Sequence, residues 1–250
     1  MEMGSKISFI IPAYNEESLI GKCLESIQRE LARGAYEAEV VVVDNGSTDR
    51  TLEVARSFAG VRVVEAPRRG ANSARKAGWE ASSGELVACI DADTELTLVW
   101  VDTVIHEFSR DPKLAALTGP FIYRDLPLYL RALVRALYVI AFLLQTLSKP
   151  FIHAGAMLQG GNFVLRRRMF DAVGGFNTDI VFYGDDADTA MRIERVGKVR
   201  WTFKLPIYAS GRRLRQEGTV RTIARYALNH AWMTYLGRPF TQGYSEIRTG

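Results

Sequence analysis

The chain has 250 residues, of which 48% are hydrophobic and 24% charged, a balance that excludes wholesale disorder and suits one large core or two modest lobes. Its two cysteines, Cys23 and Cys89, show no CxxC spacing. This excludes a disulfide framework and a thiolate metal cluster and predicts two buried thiols in a reducing compartment. The net charge of +4 hides an asymmetry: residues 1–120 carry 13 Lys and Arg against 19 Asp and Glu, a net of −6, and residues 121–250 carry a net of +10. A basic second half points to phosphates or an anionic membrane as partners. Nucleic acid is set aside, because no helix-turn-helix, zinc-finger or RNP-like aromatic signature accompanies the charge.

The N-terminus MEMGSKISFI runs straight into a strand-like segment without the apolar core of a signal peptide, so a cytoplasmic protein is expected. Ile7–Pro12 reads as a strand. Ser18–Arg33 reads as a helix, with Leu19, Ile20, Cys23, Leu24, Ile27 and Leu31 on one face. Val40–Val43 is an uninterrupted β-branched run, the pattern of a strand buried on both sides. Thr51–Phe58 predicts a helix, Val61–Glu65 a strand, Asn72–Ala81 a helix and Leu86–Ile90 a strand. Such repeated β-α-β units imply an α/β fold with a mostly parallel sheet between helices. In that architecture the ligand crevice lies beyond the carboxyl ends of the strands. Polar clusters sit there: Ala13–Glu17, Asp44–Asp49 and Asp91–Glu95.

Leu126–Leu147 is the most apolar stretch, with Leu130, Leu133, Val134, Leu137, Ala141 and Leu144 in one stripe and Arg131 and Arg135 in its early turns. The arginines leave it short of the roughly 20 uncharged residues of a transmembrane helix. A helix lying in the membrane interface and a helix packed on the sheet or a partner subunit both fit. Gly160–Arg166 predicts a turn and a strand, Met169–Val173 and Ala187–Val196 helices, Val199–Phe203 a strand and Val220–Leu236 a last helix. A single domain is expected: a first half (1–95), a second half (96–210) and a basic helical tail (211–250).

Asp91-Ala92-Asp93 places two carboxylates one residue apart after a buried strand, hard oxygen ligands suited to Mn²⁺ or Mg²⁺ bridging a diphosphate. By itself this pattern is weak, since Asp93 or Thr94 would equally cap a following helix. Asp44 suits either a turn or a hydrogen bond from a base. Tyr14, after Pro12, suits stacking on a base. Glu16 suits a helix start or a ribose contact. Arg69 and Arg75 bring positive charge to a third strand-to-helix passage, where a diphosphate would sit, or form an ordinary solvated face. Asp185, Asp186 and Asp188 crowd three acids ahead of a helix, which calls for compensation by metal, arginine or a raised pKa. Arg192 is a candidate partner for them, and a carboxylate there suits a general base toward an acceptor hydroxyl. His153 is left unassigned.

Taken together, IIPAYNEE (10–17), VVVVDNGSTDRT (40–51), ARKAGWEASSGELVACIDADTEL (74–96) and the segment from GGNFVLRRRMFDAVGGFN to FYGDDADTAMRIERVGKVRW (160–201) resemble the family 2 glycosyltransferases of the GT-A fold, in order and spacing, over roughly the first 200 residues. The resemblance implies nucleoside contacts at Tyr14, Glu16 and Asp44. It implies metal binding at Asp91 and Asp93, a catalytic base at Asp186, and inversion at the anomeric carbon of the transferred sugar. Pro12, Arg69, Arg75, Asp91 and Ala92 are assigned to the donor nucleotide and its diphosphate. Gly160, Gly161, Asn162 and Asp185 are assigned to the acceptor side. The chain departs from the family's pattern in three places: Asp185 replaces the usual Glu before the base, Arg68-Arg69-Gly70 an Asn-x-Gly, and Arg75-Lys76 an Arg-Asn. The Gln/Arg-x-x-Arg-Trp motif of processive members is absent, which favours transfer of a single sugar. The expected reaction moves that sugar from a nucleotide diphosphate sugar, UDP first among the candidates, to an acceptor hydroxyl. The apolar segment and the basic second half favour a lipid-linked or membrane-delivered acceptor, with a soluble sugar or small aglycone as the alternative, and peripheral contact with the inner face of a membrane. A Rossmann dehydrogenase would need Gly-x-Gly-x-x-Gly where Pro12–Glu17 stands. A nucleotidyltransferase would need a Gly-rich basic loop at the same place, and a non-catalytic sugar-nucleotide-binding protein would have lost the paired acids.

Overall fold

The computed structural model describes residues 6–148, 157–180 and 183–241; His153 lies outside them. Four β-branched or aliphatic runs become parallel strands, β1 (Ile7–Ala13), β2 (Ala38–Asp44), β3 (Val61–Glu65) and β4 (Leu86–Ile90), of which β3, at the sheet edge, is only half-buried. Between them run α1 (Ile20–Leu31), α2 (Thr51–Arg56) and α3 (Ala71–Ala81). Ile7, Phe9, Ile11 and Val42 face one hydrophobic layer, with α1 and Trp100, while Ile10, Val41 and Val43 face the other, with Trp79 and Phe170. This alternation explains why these strands read as continuous apolar runs.

The second half adds β5 (Thr94–Leu96), α4 (Trp100–Arg110), β6 (Leu114–Thr118) and β7 (Phe121–Tyr123), then α5 (Leu128–Ser148). Next come β8 (Asn162–Arg166), α6 (Arg167–Asp171), α7 (Asp185–Glu194), β9 (Lys198–Trp201) and β10 (Ile207–Ala209), followed by α8 (Arg212–Glu217) and α9 (Thr219–Leu236). The main sheet has the order β3-β2-β1-β4-β8-β6-β9. Only β8 is reversed, pairing antiparallel with both β4 and β6. A small second sheet joins β5, β10 and β7. The chain winds from β1 outward through β2 to β3, then crosses back to place β4 on the other flank of β1. The tips of β1 and β4 therefore form a switch point, where helices leave on opposite sides and a crevice opens.

Sequence periodicity did not anticipate α4, β6 or the small sheet. Trp100, Val101, Val104 and Phe108 form the buried face of α4, and their spacing was a usable helix signal. The apolar stripe of α5 is rotated from its expected position. Val134 is buried, with Leu130 and Tyr138 packed beside it and Leu126 and Leu214 across from it, whereas Leu133 is exposed. Tyr138 and Phe142 lie 5.8 and 5.7 Å from the Trp201 ring, and these aromatic contacts fix which face turns inward. Cys23 and Cys89 are both buried, and burial pushes the Cys89 thiol up to about 12.

Candidate active site

Three loops beyond the strand tips are tied to one another. After β1, Asn15 takes a left-handed conformation, tolerable for Asn. Its carboxamide oxygen accepts the Thr48 N–H at 2.8 Å, and its own N–H donates to the Ser47 hydroxyl at 3.0 Å. After β2, the Asp44 carboxylate accepts the N–H groups of Gly46 and Ser47 at 3.1 and 3.2 Å and is buried. Asn45 accepts the Gly70 N–H at 2.8 Å, fixing the entry to α3. The Arg69 guanidinium lies 3.5 Å from the centre of the Tyr14 ring and donates to the carbonyls of Asn45 and Gly46. Tyr14, Asp44 and Arg69 thus share one wall of the crevice, with Arg69 stacked on one face of Tyr14, and Pro12 lies half-buried in β1 beside Val43.

The tip of β4 carries Asp91-Ala92-Asp93. The next element is the strand β5, not a helix, and Thr94 closes the turn by donating its N–H and hydroxyl to the Asp91 carbonyl at 3.1 and 2.7 Å. The cap of α4 is Val99, so neither Asp93 nor Thr94 serves as a helix cap. The Asp91 side chain is 40% exposed and that of Asp93 20%, whereas Ala92 is buried and presents only its backbone. Because β8 runs opposite to β4, Gly161 stands against Asp91 and its carbonyl accepts the Asp91 N–H at 3.3 Å. Gly161 has φ +78°, and a Cβ there would lie 2.1 Å from Asp91 Oδ2. Only glycine fits on both counts.

Across the crevice, Gly184 (φ +87°) turns the chain into α7 and leaves room for Met233 of α9. Asp185 and Asp186 open that helix. Asp186 Oδ2 would be 3.5 Å from a Cβ on Gly160, which places the glycine-lined mouth beside this carboxylate. Asp188 is spent on Arg192, at 2.9 and 2.8 Å, the internal pair that the spacing suggests. Burial raises the pKa of Asp185 to about 6, with the Asp186 charge adding and Arg75 opposing. Burial also raises Asp186, against the N–H groups of Ala187 and Gly160 and the charge of Arg75. Two adjacent, partly enclosed carboxylates therefore share an elevated proton affinity.

Arg75 joins the two sides. It is buried, donates through Nη1 to Asp185 Oδ2 and lies 3.4 Å through Nη2 from Asp91 Oδ1. The sequence assigned it to a diphosphate, but its guanidinium is enclosed between carboxylates and reaches the crevice only through them. Asn162 corrects its acceptor-side assignment. It is fully buried, donates to the carbonyls of Gly119 and Leu205 at 3.0 and 2.9 Å, and accepts the Trp100 indole N–H at 3.2 Å. No atom of its side chain is left to meet a sugar. Glu16 is likewise buried rather than turned toward a ribose. Its carboxylate is gripped by both terminal nitrogens of Arg212, which also reaches Asp93 Oδ2 at 3.0 Å.

Arg212 escaped sequence reasoning because it meets Glu16 across 196 residues; only the Arg-Arg pair at the start of α8 hinted at it. Tyr183 was likewise missed as an anchor: its hydroxyl accepts from Arg225 at 3.0 Å, and Arg225 also pairs with Glu217 at 3.0 Å. The segment read as a basic tail thus closes the site at both ends, through Arg212 on the Asp93 side and through Arg225 and Met233 on the Asp186 side.

A sheet with a single reversed strand, a paired-acid turn at its switch point and a second acidic pair across the crevice define the GT-A fold. The chain belongs to glycosyl transferase family 2, whose profile matches residues 8–174. It is 37% identical over 109 residues, 41% of this chain and 35% of the relative, to glycosyltransferase AglE of Haloferax volcanii. It is 31% identical over 111 residues, 42% of this chain and 33% of the relative, to dodecaprenyl-phosphate galacturonate synthase of Rhizobium johnstonii. Each match thus spans about a third of these curated relatives. Its fold is similar to that of the Pyrobaculum calidifontis mannosyltransferase PcManGT in complex with GDP-Man and Mn²⁺, with TM-score 0.71, 21% identity, and coverage of 98% of this chain and 67% of that one.

Proposed function

We propose that the protein is an inverting glycosyltransferase that moves one sugar from a nucleotide diphosphate sugar to an acceptor hydroxyl. The observation that carries this reading is the pair of acidic clusters facing each other across one crevice, Asp91 and Asp93 on one side and Asp185 and Asp186 on the other, with Arg75 between them. A divalent cation fits the first pair. Both carboxylates are part-exposed hard oxygen donors at a turn, and among the described residues no third acid, His or Cys completes a closed cage. Mn²⁺ or Mg²⁺ held by two carboxylates keeps positions for phosphate oxygens and water. When bound, the cation neutralises charge on the departing diphosphate.

Asp186 takes the proton of the acceptor hydroxyl. The hydroxyl oxygen bonds to the anomeric carbon as the bond to the diphosphate breaks, from the opposite face, and configuration inverts. Elevated proton affinity suits a base that must be free yet basic near neutral pH. Gly160 gives the acceptor access to that carboxylate. Asp44, Tyr14 and Pro12 form the nucleoside end, and the name of the PcManGT complex supports a sugar nucleotide with Mn²⁺.

The acceptor is read as lipid-linked and delivered at a membrane. Among the described residues, no helix is long and apolar enough to cross one. α5, however, presents Leu128 (77% exposed), Tyr129, Ile140, Leu143 and Leu147 (68%) to the outside, with Arg131 and Arg135 exposed on its first turns. That combination suits a helix lying in an anionic interface, and similarity to a dodecaprenyl-phosphate galacturonate synthase supports a lipid-linked acceptor.

The test is release of nucleoside diphosphate from a panel of UDP-, GDP- and dTDP-sugars, with Mn²⁺ and a polyprenyl phosphate acceptor in vesicles. Asp93→Asn should abolish the metal-dependent release. Pyrophosphate as the product, or full activity of Asp93→Asn in chelator, would refute the reading. Flotation with vesicles containing anionic lipid tests the membrane contact; a stable dimer that buries α5 in solution would overturn it.

A further inference from the structure

Arg212 holds two carboxylates of the donor site at once. Its Nη1 and Nη2 grip the two Glu16 oxygens side by side, and Nη2 also forms an ion pair with Asp93 Oδ2 at 3.0 Å. Both Arg212 and Glu16 are buried, at 7% and 5% exposure. The two contacts differ in kind. The Glu16 pair is two-pronged and enclosed, so breaking it would strand a buried charge. The Asp93 contact is an ion pair through one nitrogen to a more exposed carboxylate.

We infer that Arg212 is a donor-binding residue that exchanges partners: it holds Asp93 before the cation arrives and a diphosphate oxygen afterwards. The inference rests on the donor and metal reading above. A divalent cation on Asp93 would stand within a few ångströms of the guanidinium, and two positive groups on one carboxylate oxygen repel strongly at a partly buried site. The guanidinium then gives up Asp93 while Glu16 keeps it in place. The nitrogen that faced Asp93 is left beside whatever anion the cation carries. A planar guanidinium has spare donors in a fixed fork and suits a phosphate oxygen. Arg212 opens α8, so loading of the donor site is felt directly by the C-terminal helices that also anchor Tyr183 ahead of Asp185 and Asp186.

The test measures binding rather than turnover, with Mn²⁺ alone and then inorganic pyrophosphate in the presence of Mn²⁺, by titration calorimetry on the whole chain. Arg212→Gln should bind Mn²⁺ alone several-fold more tightly than wild type, because a competitor has gone. It should bind pyrophosphate about tenfold or more weakly, the loss expected for one charge-assisted hydrogen bond. Opposite signs are the signature, since simple damage to the site would weaken both. Glu16→Gln/Arg212→Gln leaves no buried charge unpaired and should show the same crossed pattern if the single variant folds poorly. Arg212→Lys, whose point charge cannot span both carboxylates, should gain Mn²⁺ affinity and lose less pyrophosphate affinity than Arg212→Gln. If Mn²⁺ and pyrophosphate affinities fall together in these variants, or neither changes, the partner exchange is wrong. Wild-type protein that takes up no Mn²⁺, or Asp93→Asn that binds it as well as wild type, would remove the metal reading itself and the exchange with it.

Discussion

Gly161→Ala isolates the placement of Asp91 from every other feature of the site. A Cβ at Gly161 would lie 2.1 Å from Asp91 Oδ2, 2.3 Å from its Cγ and 2.8 Å from its Cβ. Ordinary contact begins near 3.5 Å, so the carboxylate must retreat by about 1.4 Å or the backbone of β8 must shift. The left-handed conformation (φ +78°) adds about 1–2 kcal/mol of strain for alanine. Gly174 provides the control: it has φ +84° with nothing within 4 Å of its would-be Cβ, so Gly174→Ala carries the strain without the clash. Thermal unfolding should show a loss of about 1 kcal/mol for Gly174→Ala, and more for Gly161→Ala. Calorimetric Mn²⁺ binding should be unchanged in Gly174→Ala and weakened at least tenfold in Gly161→Ala. Turnover in Gly161→Ala should fall by about two powers of ten, the usual consequence of a displacement near 1 Å. Wild-type Mn²⁺ affinity in a folded Gly161→Ala protein would refute the placement of Asp91 as a cation ligand.

Four further outcomes follow from the acids of the site and from two structural side chains. Asp186→Asn should lower turnover by about two to four powers of ten while Mn²⁺ binding stays near wild type. In wild type the acid limb of kcat should rise with pH, because the base works deprotonated. Its midpoint should lie above the ordinary carboxylate value of about 4, with Asp185 pushed up to about 6; a limb at the ordinary value would mean the pair is not the base. Glu39 is a stability probe: its partial burial would raise its pKa, but the N–H of Ser83, the hydroxyls of Ser8 and Ser83 and the charge of Lys6 together lower it to about 2. A depressed carboxylate stabilises the fold above its unfolded pKa and loses that effect as pH falls, so Glu39→Gln should cost about 2–3 kcal/mol in urea titrations at neutral pH and almost nothing near pH 2. Asn162→Ala strands the Trp100 indole and the carbonyls of Gly119 and Leu205 in the core. It should cost about 3 kcal/mol or more in chemical denaturation, without the selective loss of pyrophosphate binding that a ligand contact would produce.

The local part of the design was legible in the chain. Ile7–Pro12, Val40–Val43 and Leu86–Ile90 announce strands buried on both faces, and the polar residues that follow each run fall at the switch point because parallel winding sends every carboxyl end the same way. The reversal of β8 was not legible, since no residue in Asn162–Arg166 encodes direction. Yet that reversal brings Gly161 onto Asp91 and sinks Asn162 beneath it. Nor do isolated side chains reveal their partners. Arg75 looks like a phosphate ligand until Asp185 and Asp91 are seen on either side of it. Glu16 looks like a helix-opening acid until Arg212 arrives from the far end of the chain.

The uneven charge of the two halves also changes meaning once they are folded together. Acids of the first half pair with bases of the second: Glu16 and Asp93 with Arg212, Glu107 and Asp111 with Arg200, Asp111 with Lys198, and Glu85 with Arg166. Part of the net positive charge after residue 120 is thus offset by ion pairs within the molecule. The case for an anionic membrane therefore does not rest on that excess. It rests on Arg131 and Arg135, which are exposed on α5 beside uncovered leucines. Reversing those two charges should weaken binding to anionic vesicles, whereas neutralising Lys198, equally basic in sequence but engaged with Asp111, should leave it unchanged.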